Sequence, residues 1–231
     1  MSILEVKHVK KFFESKLVLN DINFSINAGE ILGIVGLSGG GKSTLAKIIA
    51  RLIDCDAGQI FLCGKDITHE KSTDFYKNMQ MIFQMPEDSF NPRQKLGKSI
   101  AEPIKNFLGG ENLQKRVENL LIEVGLPKNY ANRYPREVSG GECQRAAIAR
   151  AISVNPKLLI CDEATSALDV TIQAQIIALI KKLCVERNIS CLFITHDLSI
   201  LKKIANRVLV LESGQLKTLE KSNFKEVLQW N

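Results

Sequence analysis

The stretch GLSGGGKST, from Gly36 to Thr44, holds residue types suited to gripping phosphate. Gly36, Gly39, Gly40 and Gly41 leave bare backbone, although glycine weakens any regular element. Without Cβ atoms in the way, backbone N–H groups can curl around phosphate oxygens. Lys42 adds a cation for the β and γ phosphates, and the Ser43 hydroxyl suits Mg²⁺. Leu37, Ser38 and Thr44 complete the loop. An apolar run, Ile31–Val35, enters it. Leu45, Ile48, Ile49 and Leu52 leave it at the spacing of one helix face, and a helix N-terminus would add its dipole to the site. A glycine-rich turn without a ligand is the competing reading, and the strand–loop–helix context argues against it.

A second candidate anion site is Ser139-Gly140-Gly141-Glu142, which opens the helical pattern Cys143–Ile152. Alone, Ser139 reads equally as an ordinary N-cap. Farther on, the apolar strand Lys157–Cys161 ends in Asp162-Glu163. Ligands of α/β sheets gather at the carboxyl ends of strands. An acid there can hold Mg²⁺ through its waters, and its neighbour can orient or deprotonate an attacking water. Thr195-His196-Asp197 ends the strand Ser190–Thr195 in the same way. A lone histidine is usually structural, and it is the strand-end position that makes His196 a candidate.

These residues need a frame. Apolar runs at Ile3–Val9, Val18–Ile26, Ile31–Val35, Gln59–Cys63, Met79–Phe83, Lys157–Cys161, Ser190–Thr195 and Val208–Leu211 predict strands. Helical patterns follow several of them, among them Ile172–Arg187, so the expected class is α/β with a mainly parallel sheet. Pro86–Arg150 reads as helical, with Gly109–Asn112 its loosest stretch. The composition, 45% hydrophobic and 24% charged in 231 residues, is that of an ordinary soluble domain. A net charge of +6 is scattered, with its tightest cluster at Lys7, His8, Lys10 and Lys11. That favours anionic ligands or an anionic membrane face over nucleic acid. No apolar run has bilayer-spanning length, and MSILEVKHVKK lacks a signal-peptide core, so the expectation is a chain neither secreted nor membrane-spanning. The six cysteines form no CxxC pair, which predicts reduced thiols and no metal cluster.

Taken together, these pieces resemble the ATP-binding cassette ATPases, over nearly the whole chain and in family order. The resemblance implies a P-loop NTPase domain over residues 1–231. It would have a mainly parallel sheet, an N-terminal antiparallel β part and an inserted helical subdomain at about 86–150. GLSGGGKST matches the Walker A loop. Phe12-Phe13 lies where the family places an adenine-stacking aromatic, and the spacing to Asp21-Ile22 favours Phe13. Gln84 matches the Q-loop and would share Mg²⁺ with Ser43 and Asp162. SGGE matches the signature, Ser139, Gly140, Gly141 and Glu142, with Glu142 where many members have glutamine. LLICDE (Leu158–Glu163) matches the Walker B strand. Ser166, Ala167, Leu168 and Asp169 match the D-loop, and His196 the switch histidine. The implied ligands are ATP and Mg²⁺, with Glu163, His196 and Gln84 in catalytic roles. A second cassette, copy or paralogue, would pair head to tail, its signature covering the γ-phosphate held by this Walker A loop.

Two stretches, FQMPEDSFNPRQKLGKSIAEPI (Phe83–Ile104) and DEATSALDVTIQAQI (Asp162–Ile176), are similar to the peptide and nickel importer branch. Met85 departs from that branch, which usually has aspartate there. The branch implies a peripheral subunit on the cytoplasmic face of the cell membrane that powers uptake of short peptides, nickel or a metal chelate. It also implies two integral-membrane permease subunits and a solute-binding protein. The short stretch after LESGQLK (Leu211–Lys217) leans toward metal importers. The alternative is a soluble cassette ATPase acting on nucleic acid or ribosomes. Such proteins usually carry two cassettes, coiled-coil inserts or zinc-binding cysteines, and none is visible. A catalytically dead partner is opposed by Glu163, His196 and the signature.

Overall fold

The computed structural model describes residues 1–219. In chain order the elements begin β1 (Ser2–Phe13), β2 (Lys16–Asn27), β3 (Ile31–Val35), α1 (Lys42–Ile49), β4 (Ala57–Leu62), β5 (Lys65–Asp66) and β6 (Met79–Ile82). Three helices follow, α2 (Leu96–Leu108), α3 (Leu113–Glu123) and α4 (Gly140–Ile152). The last stretch is β7 (Leu158–Asp162), α5 (Val170–Arg187), β8 (Ser190–Thr195), α6 (Leu198–Ile204), β9 (Arg207–Glu212) and β10 (Gln215–Thr218).

The central sheet has the order β10-β9-β3-β8-β7-β6, and all its pairings are parallel except the β9–β10 hairpin. Its inner strands are apolar without alternation because both faces are covered. Val35, Cys161, Cys191 and Phe193 point into a core shared with α2 to α6. Their neighbours Leu32, Ile34, Ile160 and Ile194 point into a second core, shared with α1 and an antiparallel sheet of order β2-β1-β4-β5. The fold is therefore α/β with a mainly parallel sheet and an antiparallel N-terminal part, as the sequence predicts.

Strands β1 and β2 outrun the expected spans. Register shifts between Val6 and Val9 and between Val9 and Lys11 act as bulges, so pairing continues to Phe13↔Lys16. In the first helix, Leu52 does not share the buried face its spacing suggests. The helix stops at Ile49, Arg51 adopts a left-handed φ of 56°, and Leu52 is 48% exposed. Between β6 and β7 the chain holds α2, α3, α4 and short 3₁₀ turns, with no strand, so Pro86–Arg150 is helical as read. Gly109–Asn112 joins α2 to α3.

Candidate functional site

Strand β3 delivers the glycine loop from the middle of the sheet, between β8 and β9. Close packing fixes two of its glycines. A Cβ on Gly36 would lie 2.4 Å from the Leu211 carbonyl oxygen, and Gly41 has a φ of 94° as the N-cap of α1. Neither position suits a side chain. Lys42 is buried, and its Nζ donates to the carbonyl oxygens of Gly36 at 2.9 Å and Leu37 at 3.0 Å. Gly40 N–H closes the turn onto the same Leu37 carbonyl at 3.1 Å. Desolvation lowers the Lys42 pKa, opposed by the charges of Glu163 and Asp162.

Strand β7 brings the two acids. Asp162 is buried and accepts a 3.0 Å hydrogen bond from Ser43 Oγ. Burial raises its pKa, and the serine hydrogen bond counters the shift. Glu163 leaves the strand with a left-handed φ of 50°, its N–H bonded to the Ile194 carbonyl at 3.0 Å. Such backbone is uncommon outside glycine, and here it starts the turn at the strand's end. One Glu163 oxygen lies 3.8 Å from Lys42 Nζ, and the other is 2.8 Å from His196 Nδ1. A carboxylate is thus held between a buried cation and an imidazole.

A cavity of about 580 Å³ opens over these groups. Ser38, Gly39, Gly41, Lys42, Ser43 and Thr44 line its floor, and Gln84, Glu163 and His196 one side. Phe13 and Val18 line it as well, with Phe13 48% exposed and the Lys11 ammonium 5.5 Å from its ring centroid. Phe12 does not line it. Nor does Leu37, which points outward and contributes only its carbonyl. Val18 had no signal in the sequence beyond being an apolar strand residue.

The Ser139–Glu142 segment sits elsewhere. It lines a second cavity, of about 770 Å³, with Ala167, Leu168 and Asp169, and no residue lines both cavities. Ser139 is indeed an N-cap. Its Oγ accepts from Glu142 N at 3.3 Å, while Glu142 Oε2 accepts from Ser139 N at 2.8 Å, a capping box. Serine followed three residues later by glutamate is the spacing that announces that motif. A Cβ on Gly141 would lie 2.7 Å from Ile172 Cγ2, so glycine lets α4 approach α5. Asp169 caps α5, accepting from the Thr171 and Ile172 N–H groups at 3.1 and 3.0 Å. Ser166 Oγ donates to the Glu163 carbonyl at 3.0 Å, which ties the loop Ser166–Asp169 back to the acid pair. Gln144 strengthens that tie from inside. It is fully buried, and its Nε2 donates to the Ala164 carbonyl at 2.6 Å.

Fold and site together define a P-loop nucleotide-binding cassette. Residues 19–166 match the ABC transporter family, and the chain belongs to that family. The oligopeptide transport ATP-binding protein OppF of Haemophilus influenzae is 44% identical, over 91% of this chain and 66% of its own length. OppF of Bacillus subtilis is also 44% identical, over 93% of this chain and 74% of its own length. The chain thus spans about two thirds to three quarters of these relatives. Among solved structures, a dimeric post-hydrolysis state of the ATP-binding cassette MJ0796 bound to ADP and Pi superposes with a TM-score of 0.83. It is 29% identical over 94% of this chain and 98% of its own.

Proposed function

We propose that this chain is the ATP-hydrolysing subunit of an importer of short peptides. The observation that carries the reading is Glu163, held between Lys42 and His196 at the wall of the glycine-loop cavity. The peptide-transport names of the relatives favour import over action on nucleic acid or ribosomes. The loop's N–H groups and Lys42 would take the phosphates, with Lys42 turning from the Gly36 and Leu37 carbonyls to the β and γ oxygens. Phe13 would stack on adenine. Ser43, Gln84 and Asp162 offer oxygen atoms only, a donor set that suits Mg²⁺, whose charge would neutralise the phosphates when bound. Water oxygen then attacks the γ-phosphorus, the bond to the β–γ bridging oxygen breaks, and Glu163 accepts the water proton. His196 holds the Glu163 carboxylate in place.

The Ser139–Gly141 loop lies outside the cavity of its own chain, which favours a composite site. Ser139, Gly140 and Ala167 are exposed there, as is Val170 at 81%. A second cassette, identical or paralogous, would bring its own glycine loop and nucleotide to this surface. The 86–150 segment would act as a helical subdomain, and its junction at Gln84 would face two membrane permeases. No helix among the described residues is long and apolar enough to cross a membrane. The chain would therefore sit peripherally, on the cytoplasmic side, and receive its cargo signal from a binding protein through those permeases.

The experiment is to reconstitute the full complex and measure ATPase with candidate cargo on its binding protein. Short peptides are expected to stimulate hydrolysis. Stimulation by nickel or a metal chelate instead would move the assignment to the metal side of the same branch. Stimulation only by an unrelated solute would overturn the cargo assignment.

A further inference from the structure

We propose that Tyr130 is a positioning residue for the Ser139–Gly141 anion site, acting through Glu142. The inference rests on the reading that this site meets a phosphate held by a second cassette. Tyr130 sits in a 3₁₀ turn, Lys128–Asn132, between α3 and α4. Its side chain is buried, with the Arg133 guanidinium stacked 4.0 Å from the ring centroid. Its hydroxyl donates to Glu142 Oε1 at 2.6 Å, and Glu142 Oε2 accepts from Ser139 N at 2.8 Å. Both carboxylate oxygens are therefore committed, one to the neighbouring turn and one to the cap.

The commitment matters because Glu142 places a negative charge within one turn of the helix end meant for an anion. Released, that carboxylate could swing toward the incoming phosphate and repel it. It would also compete for the Gly140 and Gly141 N–H groups. Charge-assisted hydrogen bonds are the strong ones, and two of them hold it on the capping side. These bonds also lower the Glu142 pKa, the one from Tyr130 most, so the group stays ionised and clamped. Arg133 adds a cation over the ring that carries the clamp. A glutamine at 142 would bring no charge to be restrained, so the need for Tyr130 belongs to glutamate at this position.

The test uses the full chain with Glu163→Gln added to block turnover. Dimer formation is followed by sizing as ATP is raised, for Tyr130→Phe, Glu142→Gln and the pair. Tyr130→Phe should raise the ATP concentration for half-dimerisation about tenfold, the weight of one hydrogen bond to a charged group. With Glu142→Gln present, the same change should shift it by no more than about twofold. Nucleotide affinity at the glycine loop, measured on the monomeric Ser139→Arg form, should not respond to Tyr130→Phe. An equal shift in both backgrounds would reduce Tyr130 to packing, and no shift beside Glu142 would remove the role. Normal ATP-dependent dimerisation of the Ser139→Arg form would instead defeat the composite-site reading, a failure distinct from either.

Discussion

Replacing Glu163 by glutamine should separate the proton-accepting step proposed for it from nucleotide binding. The amide keeps the shape of the side chain, which touches Lys42 at 3.8 Å and His196 at 2.8 Å. It accepts no proton from water. Lost general-base catalysis amounts to about 10²–10⁴-fold, a rise of about 3–5 kcal/mol in the barrier. ATP should bind at least as well, because a carboxylate beside the γ-phosphate position is gone while Lys42 and the loop remain. The assay pairs single-turnover phosphate release with equilibrium nucleotide binding. The expected split is turnover nearly abolished with affinity kept or raised. Hydrolysis within a few-fold of wild type would refute the role of Glu163, and a parallel loss of binding would mean that the change had damaged the cradle.

Lys42→Ala should do the reverse and weaken ATP binding by about 10–100-fold, as expected for lost hydrogen bonds to charged oxygens; calorimetry showing unchanged affinity would contradict it. Gly36→Ala should destabilise the fold by about 1–3 kcal/mol through overpacking, since the new methyl meets the Leu211 carbonyl at 2.4 Å; an unchanged unfolding temperature would oppose that. Substitution of the exposed Met85, Glu87 or Asp88 should uncouple transport from hydrolysis in the full complex while sparing most ATPase of the isolated chain. Transport that keeps its full coupling in those variants would put the permease contact elsewhere. Phe90 does not belong in that set, because it is buried under Arg150, whose guanidinium lies 4.4 Å from its ring.

Periodicity and composition carried the central sheet, since strands covered on both faces leave continuous apolar runs such as Ile31–Val35. The short strands β5 and β10 were not legible. They span only 2 and 4 residues, at the edges of their sheets, and carry no period of their own. The bulged ends of β1 and β2 hid for another reason, because a register shift breaks the alternation that announces a strand. The glycine loop was legible because the chemistry it suggests is local, packed into consecutive residues. Asp162, Glu163 and His196 were legible only as strand ends, and their convergence on Lys42 and Ser43 is a product of sheet order. Tyr130 was invisible. Its partner Glu142 lies 12 residues away across an irregular turn, and no spacing rule links a 3₁₀ tyrosine to a capping glutamate.

In the proposed composite site, two cassettes share nucleotide between the glycine loop of one and Ser139–Gly141 of the other. The direct measurement is the mass in solution of the Glu163→Gln protein with and without ATP, repeated with Ser139→Arg added. A monomer that becomes a dimer only with ATP, and stays monomeric when arginine fills the exposed Ser139 position, is the predicted result. An ATP-induced dimer that survives Ser139→Arg with its thermal unfolding unchanged would contradict it.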